Sequence, residues 1–179
     1  MVVAALSSSV AHGEATLVRI RIEQPSSSHT RGDTRTETRS LKLFISNVSA
    51  EAGELKVSYL FIGRDVARSS QIPRIPGGIC WISAELIREF GPPRGDLVVV
   101  AKGEQPATVK SGSAIIVETP AATAVSTSPK MVNGRLDKGK GTKFFGYAVR
   151  VYRGDKVVAE TCEPREFAKW AFLQQSLSK

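Results

Sequence analysis

Apolar and polar residues alternate with a period of two in run after run of this chain. Successive side chains of a strand point to opposite faces, so this period is the mark of half-buried β-strands. In residues 15–23, Leu17, Ile20 and Ile22 stand against Thr16, Arg19, Arg21 and Glu23. Leu41, Leu43 and Ile45 alternate with Lys42, Phe44 and Ser46, and Leu55, Val57, Tyr59 and Phe61 alternate with Lys56 and Ser58. The polar stretch 47–53 between these two runs predicts an antiparallel hairpin. Large residues on both faces at Leu60, Phe61 and Ile62 predict a central strand there. Residues 97–102 form a β-branched strand, continued at 105–110 after a bend at Gly103, and 114–119 form another. Residues 144–152 and 156–161 flank Gly154-Asp155, a strong hairpin signal. About seven strands, mostly hairpin-linked, predict a mainly β, Ig-like antiparallel β-sandwich.

The remaining segments break the alternation. Residues 25–38 carry Ser, Thr, Arg and Gly, with no apolar side chain beyond Pro25, and read as an exposed polar loop. Residues 69–95 hold Pro73, Pro76, Pro92 and Pro93, which exclude a strand. Within them, Ser83 as N-cap, Gly91 past the end and Pro92 after it mark a short helix over 83–90. This insertion is too apolar for a free loop and is expected to cover an edge or end of the sandwich. Where it stays partly open, Ile75, Ile79, Trp81, Leu86 and Phe90 offer an apolar surface to a protein partner. Residues 120–143 read as a basic Gly/Lys loop, extended at 122–125. Residues 163–179 read as an amphipathic helix, with Pro164 at its first position and Phe167, Trp170, Ala171 and Leu177 on one stripe. It packs on the sandwich or docks a partner. The sandwich itself is expected over 14–162, as one domain of a 179-residue chain.

Twenty-five basic residues face seventeen acidic ones, a net charge of +8 that favours anionic partners. The densest run lies within 120–143: Lys130, Arg135, Lys138, Lys140 and Lys143 against Asp137 alone. It is either a solvated loop or an anion-binding surface for nucleic acid or acidic glycan. Residues 1–13 resemble the back half of a signal peptide, with Ala11 and Gly13 as small residues near a cleavage point, or else a plain disordered terminus. Export to the periplasm, cell envelope or exterior is the expectation. No apolar run is long enough for a membrane-spanning helix. Cys80 and Cys162 either pair in an oxidising compartment or sit as small buried hydrophobes.

No catalytic constellation assembles. The only histidines, His12 and His29, fall in polar stretches, and no zinc spacing exists. Pro76-Gly77-Gly78 lacks the Lys-Ser/Thr of a phosphate loop, and no nucleophile elbow is present. No enzyme activity, metal or small-molecule cofactor is expected. Arg-Gly-Asp occurs three times, at Arg31, Arg94 and Arg153. Each site falls at a turn, so repeated turn chemistry is preferred to integrin-type adhesion.

Three stretches carry a resemblance: 40–47 (SLKLFISN), 55–65 (LKVSYLFIGRD) and 145–159 (FGYAVRVYRGDKVVA). Val117–Pro120 (VETP), followed by a Lys/Gly-rich loop, fits the same pattern. Together they resemble small secreted Ig-like proteins of mucin-degrading and related bacteria, one of them associated with a type IV pilus gene cluster. The resemblance implies export, an Ig-like sandwich, no catalysis and a role on or near pili, with an envelope or pilus protein as partner. The expected function is a non-catalytic structural, adhesion or assembly module of the bacterial cell envelope; the alternative is a binding module for an anionic polymer.

Overall fold

The structure is a computed structural model that describes residues 18–47, 53–69, 96–168 and 171. Two antiparallel sheets face each other. One has the order β12-β11-β5-β6, built from β5 (Gly53–Asp65), β6 (Leu97–Val109), β11 (Thr142–Arg153) and β12 (Lys156–Glu163). The other has the order β1-β4-β7, from β1 (Val18–Glu23), β4 (Lys42–Asn47) and β7 (Ala114–Glu118). These seven strands form the Ig-like antiparallel sandwich, with β6 beside β5 at the place of the added strand in variable-type domains.

The alternating residues fill the space between the sheets. Leu43 and Ile45 of β4, Leu55, Val57, Tyr59 and Phe61 of β5, and Val149 and Val151 of β11 are all buried there. Phe61 sits edge-on to Tyr59 and Phe144, with centroids 6.2 and 5.9 Å away. Gly103 lies opposite Tyr59, where a Cβ would strike the phenol ring. A second cluster covers the outer face of β5 and β11: Leu60, Ile62, Leu97, Ala148, Cys162, Phe167 and Ala171. Burial on both faces explains why β5 loses its alternation after Val57.

Two bulges move the apolar faces. The β5–β6 register shifts between Phe61 and Ile62, at Val100, so that Leu97 and Val109 join different clusters. The β11–β5 register shifts between Phe144 and Gly146. Phe144 and Tyr147 therefore both enter the inter-sheet core, while Phe145 turns outward against Phe167 at 4.8 Å.

Several expectations are corrected. β4 and β5 do not pair as a hairpin; they lie in opposite sheets, β4 between β1 and β7 and β5 between β11 and β6, so that the apolar faces of both close on one core. Residues 25–38 are not a loop: β2 (Ser26–Arg31) and β3 (Thr34–Arg39) pair along their whole length. Their Ser and Thr side chains contribute no apolar pattern, yet the backbone ladder needs none. Residues 120–143 contain β8 (Ala122–Thr127), β9 (Lys130–Val132) and β10 (Arg135–Asp137). At the C-terminus, the described residues form a 3-10 turn at Arg165–Phe167, with Pro164 extended before it as the cap and no side chain capping its N–H groups. Pro164 thus stands outside the turn rather than at its first position, and the amphipathic helix expected over 163–179 is not supported; Trp170 and Leu177 of its stripe lie outside the described residues. The insertion 70–95, with Ile75, Ile79, Trp81, Leu86, Phe90 and Cys80, and the segment 1–17 lie outside the described residues.

A basic hairpin arm as candidate functional site

Three strand pairs run on from the sandwich into a third sheet. β1 leads into β2, β4 is preceded by β3, and β7 leads into β8, giving the order β2-β3-β8 beside β1-β4-β7. The bend passes through all three at one line. There Ser40 N donates to Pro25 O, Leu41 N donates to Thr119 Oγ1, and Thr119 N donates to Leu41 O. Ala122 and Ala124 of β8 still belong to the inter-sheet core. β2 is exposed along its whole length.

The β9–β10 hairpin is attached to this third sheet. Asn133 and Gly134 both have positive φ (50° and 74°), the conformation of a type I′ turn. The hairpin pairs Arg135 with Val132, Leu136 with Met131 and Asp137 with Lys130. All its residues are exposed. Its base is pinned at two points. On one side Ser128 N donates to Asp33 O, and Lys130 Nζ donates to Asp33 Oδ2 at 2.5 Å. That hydrogen bond to the carboxylate raises the Lys130 ammonium above its ordinary value. On the other side Thr127 N donates to Lys140 O, Lys140 N donates to Thr127 Oγ1, and Val66 N donates to Gly141 O.

The structure brings the five cations expected to bind anions to this hairpin and its base. Lys130 and Arg135 lie on the hairpin, Lys138 and Lys140 at its base, and Lys143 at the start of β11; all are exposed. Lys130 is used by Asp33, whereas among the described residues Arg135, Lys138, Lys140 and Lys143 make no ion pair. Three cations elsewhere on the sheets are matched across strands: Lys42 with Glu118, Lys56 with Glu104, Arg150 with Glu160. Such cross-strand matching is the usual way a sheet surface carries charge. Five basic residues against Asp137 give the segment a net +4 of the chain's +8.

The exposed apolar side chains of the hairpin were missed by the sequence reading. Met131 and Leu136 are 65% and 61% exposed, and Val132 is 43% exposed. The Asn133-Gly134 pair was the signal that would have revealed them. Arg31-Gly32-Asp33 and Arg153-Gly154-Asp155 each form a two-residue hairpin turn with Gly at positive φ. Asp33 is held by Lys130, Arg153 donates to Asn47 Oδ1, and Asp96 is buried near Arg64 (3.8 Å), so turn and packing chemistry account for what is described of these tripeptides. Cys162 is a buried thiol whose Sγ donates to Pro164 O at 3.4 Å. Among the described residues no group of His, Cys, Asp and Glu is placed to hold a metal ion, and no helix is long and apolar enough to cross a membrane.

The fold thus defines an Ig-like β-sandwich that carries a projecting basic hairpin. No protein-family profile and no curated protein matches the chain. Among solved structures, a beta-glucuronidase from glycoside hydrolase family 2 is similar over 78% of this chain at 13% identity, with a TM-score of 0.37. The chain spans 10% of that protein's length. A likeness this low carries no argument about the chain.

Proposed function

We propose that this chain is a non-catalytic module that engages an anionic partner through the β9–β10 arm. The observation that carries the proposal is the contrast in charge pairing. Lys42, Lys56 and Arg150 on the sandwich each face a carboxylate across a strand pair, whereas the exposed Arg135, Lys138, Lys140 and Lys143 cluster on one segment with no ion pair among the described residues. Unmatched like charges on one short segment repel one another and gain nothing for the fold. They are available to phosphate, sulfate or carboxylate groups of a partner. The resemblance adds export and a place in the cell envelope, near pili, to this proposal; fractionation that finds the protein in the cytoplasm would remove that part.

Retention on heparin and on duplex DNA tests the main reading. Counterion release by four cations predicts a log–log salt slope of roughly −3 to −4 on DNA. The variant with Arg135, Lys138, Lys140 and Lys143 changed to Gln should elute at much lower salt. Retention of the native protein no stronger than that of a neutral control would refute the proposal.

A further inference from the structure

Three features lie outside what holds the sandwich together: the β2 edge, unpaired among the described residues, the buried Asp96 beside Arg64, and the apolar end of the basic hairpin. The hairpin carries the argument furthest, because two independent properties coincide on it.

The alternation within β9 and β10 places Met131 and Leu136, a directly opposed pair, on one face. It places Val132, opposite Arg135, on the other. Apolar side chains thus project from both faces of the last two rungs, beside the Asn133-Gly134 turn. A rigid partner lying along one face would leave the other in water. A fluid apolar medium entered tip first takes both. Lys138, Lys140 and Lys143 stand behind the apolar rungs, and Arg135, on the rung nearest the turn, has a side chain long enough to reach back to headgroup level. Lys130, already neutralised by Asp33, adds little.

Other anionic partners use only half of this arrangement. Single-stranded nucleic acid is held by cations together with stacking aromatics, which residues 126–143 lack, and the phosphate contacts that hold a duplex make no use of Met131, Val132 and Leu136. An acidic glycan gains nothing from methionine or leucine. A protein interface of standard size engages on the order of 20 residues a side, far more than a hairpin end presents. An anionic lipid surface matches both parts: headgroups attract the cations, and the acyl boundary accepts aliphatic side chains.

We infer that the β9–β10 hairpin docks on anionic phospholipid membranes, with Met131, Val132 and Leu136 entering the acyl boundary and Arg135, Lys138, Lys140 and Lys143 at the headgroups. This rests on the anion-binding reading of the same arm and names its partner.

The test is co-sedimentation of the full chain with vesicles of phosphatidylglycerol and phosphatidylcholine, and with vesicles of phosphatidylcholine alone. Binding should require the anionic lipid and fall with salt by about fivefold for each cation screened. The double variant Met131→Ser/Leu136→Ser should bind anionic vesicles roughly tenfold or more weakly. Its salt of elution from heparin should not change. Both side chains are exposed, so a matching thermal transition confirms that the variant folds. Single substitutions, Met131→Ser or Leu136→Ser, serve if the pair unfolds the hairpin. Heparin retention without vesicle binding, or vesicle binding indifferent to the double variant, overturns the membrane inference and leaves the anion-binding reading standing. Loss of both retention and vesicle binding overturns the two together.

Discussion

Two glycines of the arm allow its attachment to be measured against an internal reference. Gly134, in the turn, has φ 74° and no atom within 4 Å of where a Cβ would stand. Gly141, at the base, has φ 91°, and a Cβ there would run into the Val125 backbone carbonyl. Gly134→Ala therefore suffers conformational strain alone, about 1–2 kcal/mol. Gly141→Ala suffers the same strain and must also push β8 and the hairpin base apart. That breaks the hydrogen bonds joining Thr127 to Lys140 and Val66 to Gly141, at about 1 kcal/mol each. The expected loss is about 3–5 kcal/mol for Gly141→Ala, two to three times that for Gly134→Ala. Urea denaturation measures both. Amide exchange locates the damage: Thr127 and Val66 should exchange faster in Gly141→Ala and unchanged in Gly134→Ala. Equal losses in the two variants, or unchanged exchange at Thr127, would refute the idea that the close approach at Gly141 pins the arm.

Phe61→Ala removes a fully buried ring that touches two others, and should cost about 3–5 kcal/mol in chemical denaturation. Asn47→Ala takes a buried amide from Lys110 O and from Arg153, and should cost about 1–3 kcal/mol, with faster opening of the β6–β7 turn seen by amide exchange. Burial, and secondarily the nearby Glu163, raises the Tyr147 phenol above its ordinary value of 10.0. The neutral form is thus favoured in the fold. This contribution is fully present below pH 10.0 and is lost as pH rises through the raised value; an ultraviolet titration should show a tyrosine ionising late, together with unfolding. Changing Arg135, Lys138, Lys140 and Lys143 together to Gln should leave the melting temperature unchanged or raise it; a clear fall would make these cations structural.

The sandwich was legible because its strands bury one face in a regular way. Leu43 and Ile45, or Leu55 and Val57, declare their partners' side by spacing alone. Legibility ended where burial is two-sided or absent. In β5 the residues from Ser58 to Gly63 are buried on both faces, so alternation there carries no directional information. In β11 the bulge reverses the face between Phe144 and Tyr147, a shift that no count of residues along one strand reveals. β2 and β3 were hidden, and β8 showed only as an extended stretch at 122–125, for the opposite reason. Their Ser, Thr and Ala side chains are paired by backbone hydrogen bonds and by the Thr38–Thr123 contact, with little apolar area to mark them. The basic residues of the arm were found by charge density. Their lack of partners was not, since pairing depends on registers such as Lys42 with Glu118 that only the sheet order sets.

The arm contributes to the molecule in a way the sandwich does not need. Isolated two-stranded hairpins are marginal in water. This one buries none of its strand residues and concentrates unpaired positive charge. Its geometry is nonetheless specified at several points: Asn133-Gly134 at the turn, Lys130 on Asp33, and Gly139 and Gly141 where backbones meet too closely for a side chain. The core clusters draw on β8 and the seven sandwich strands and take no side chain from β9 or β10. A segment held this firmly, yet adding repulsion and exposed aliphatic surface, does not serve stability. Under the proposed reading, a partner takes up both its charge and its apolar end.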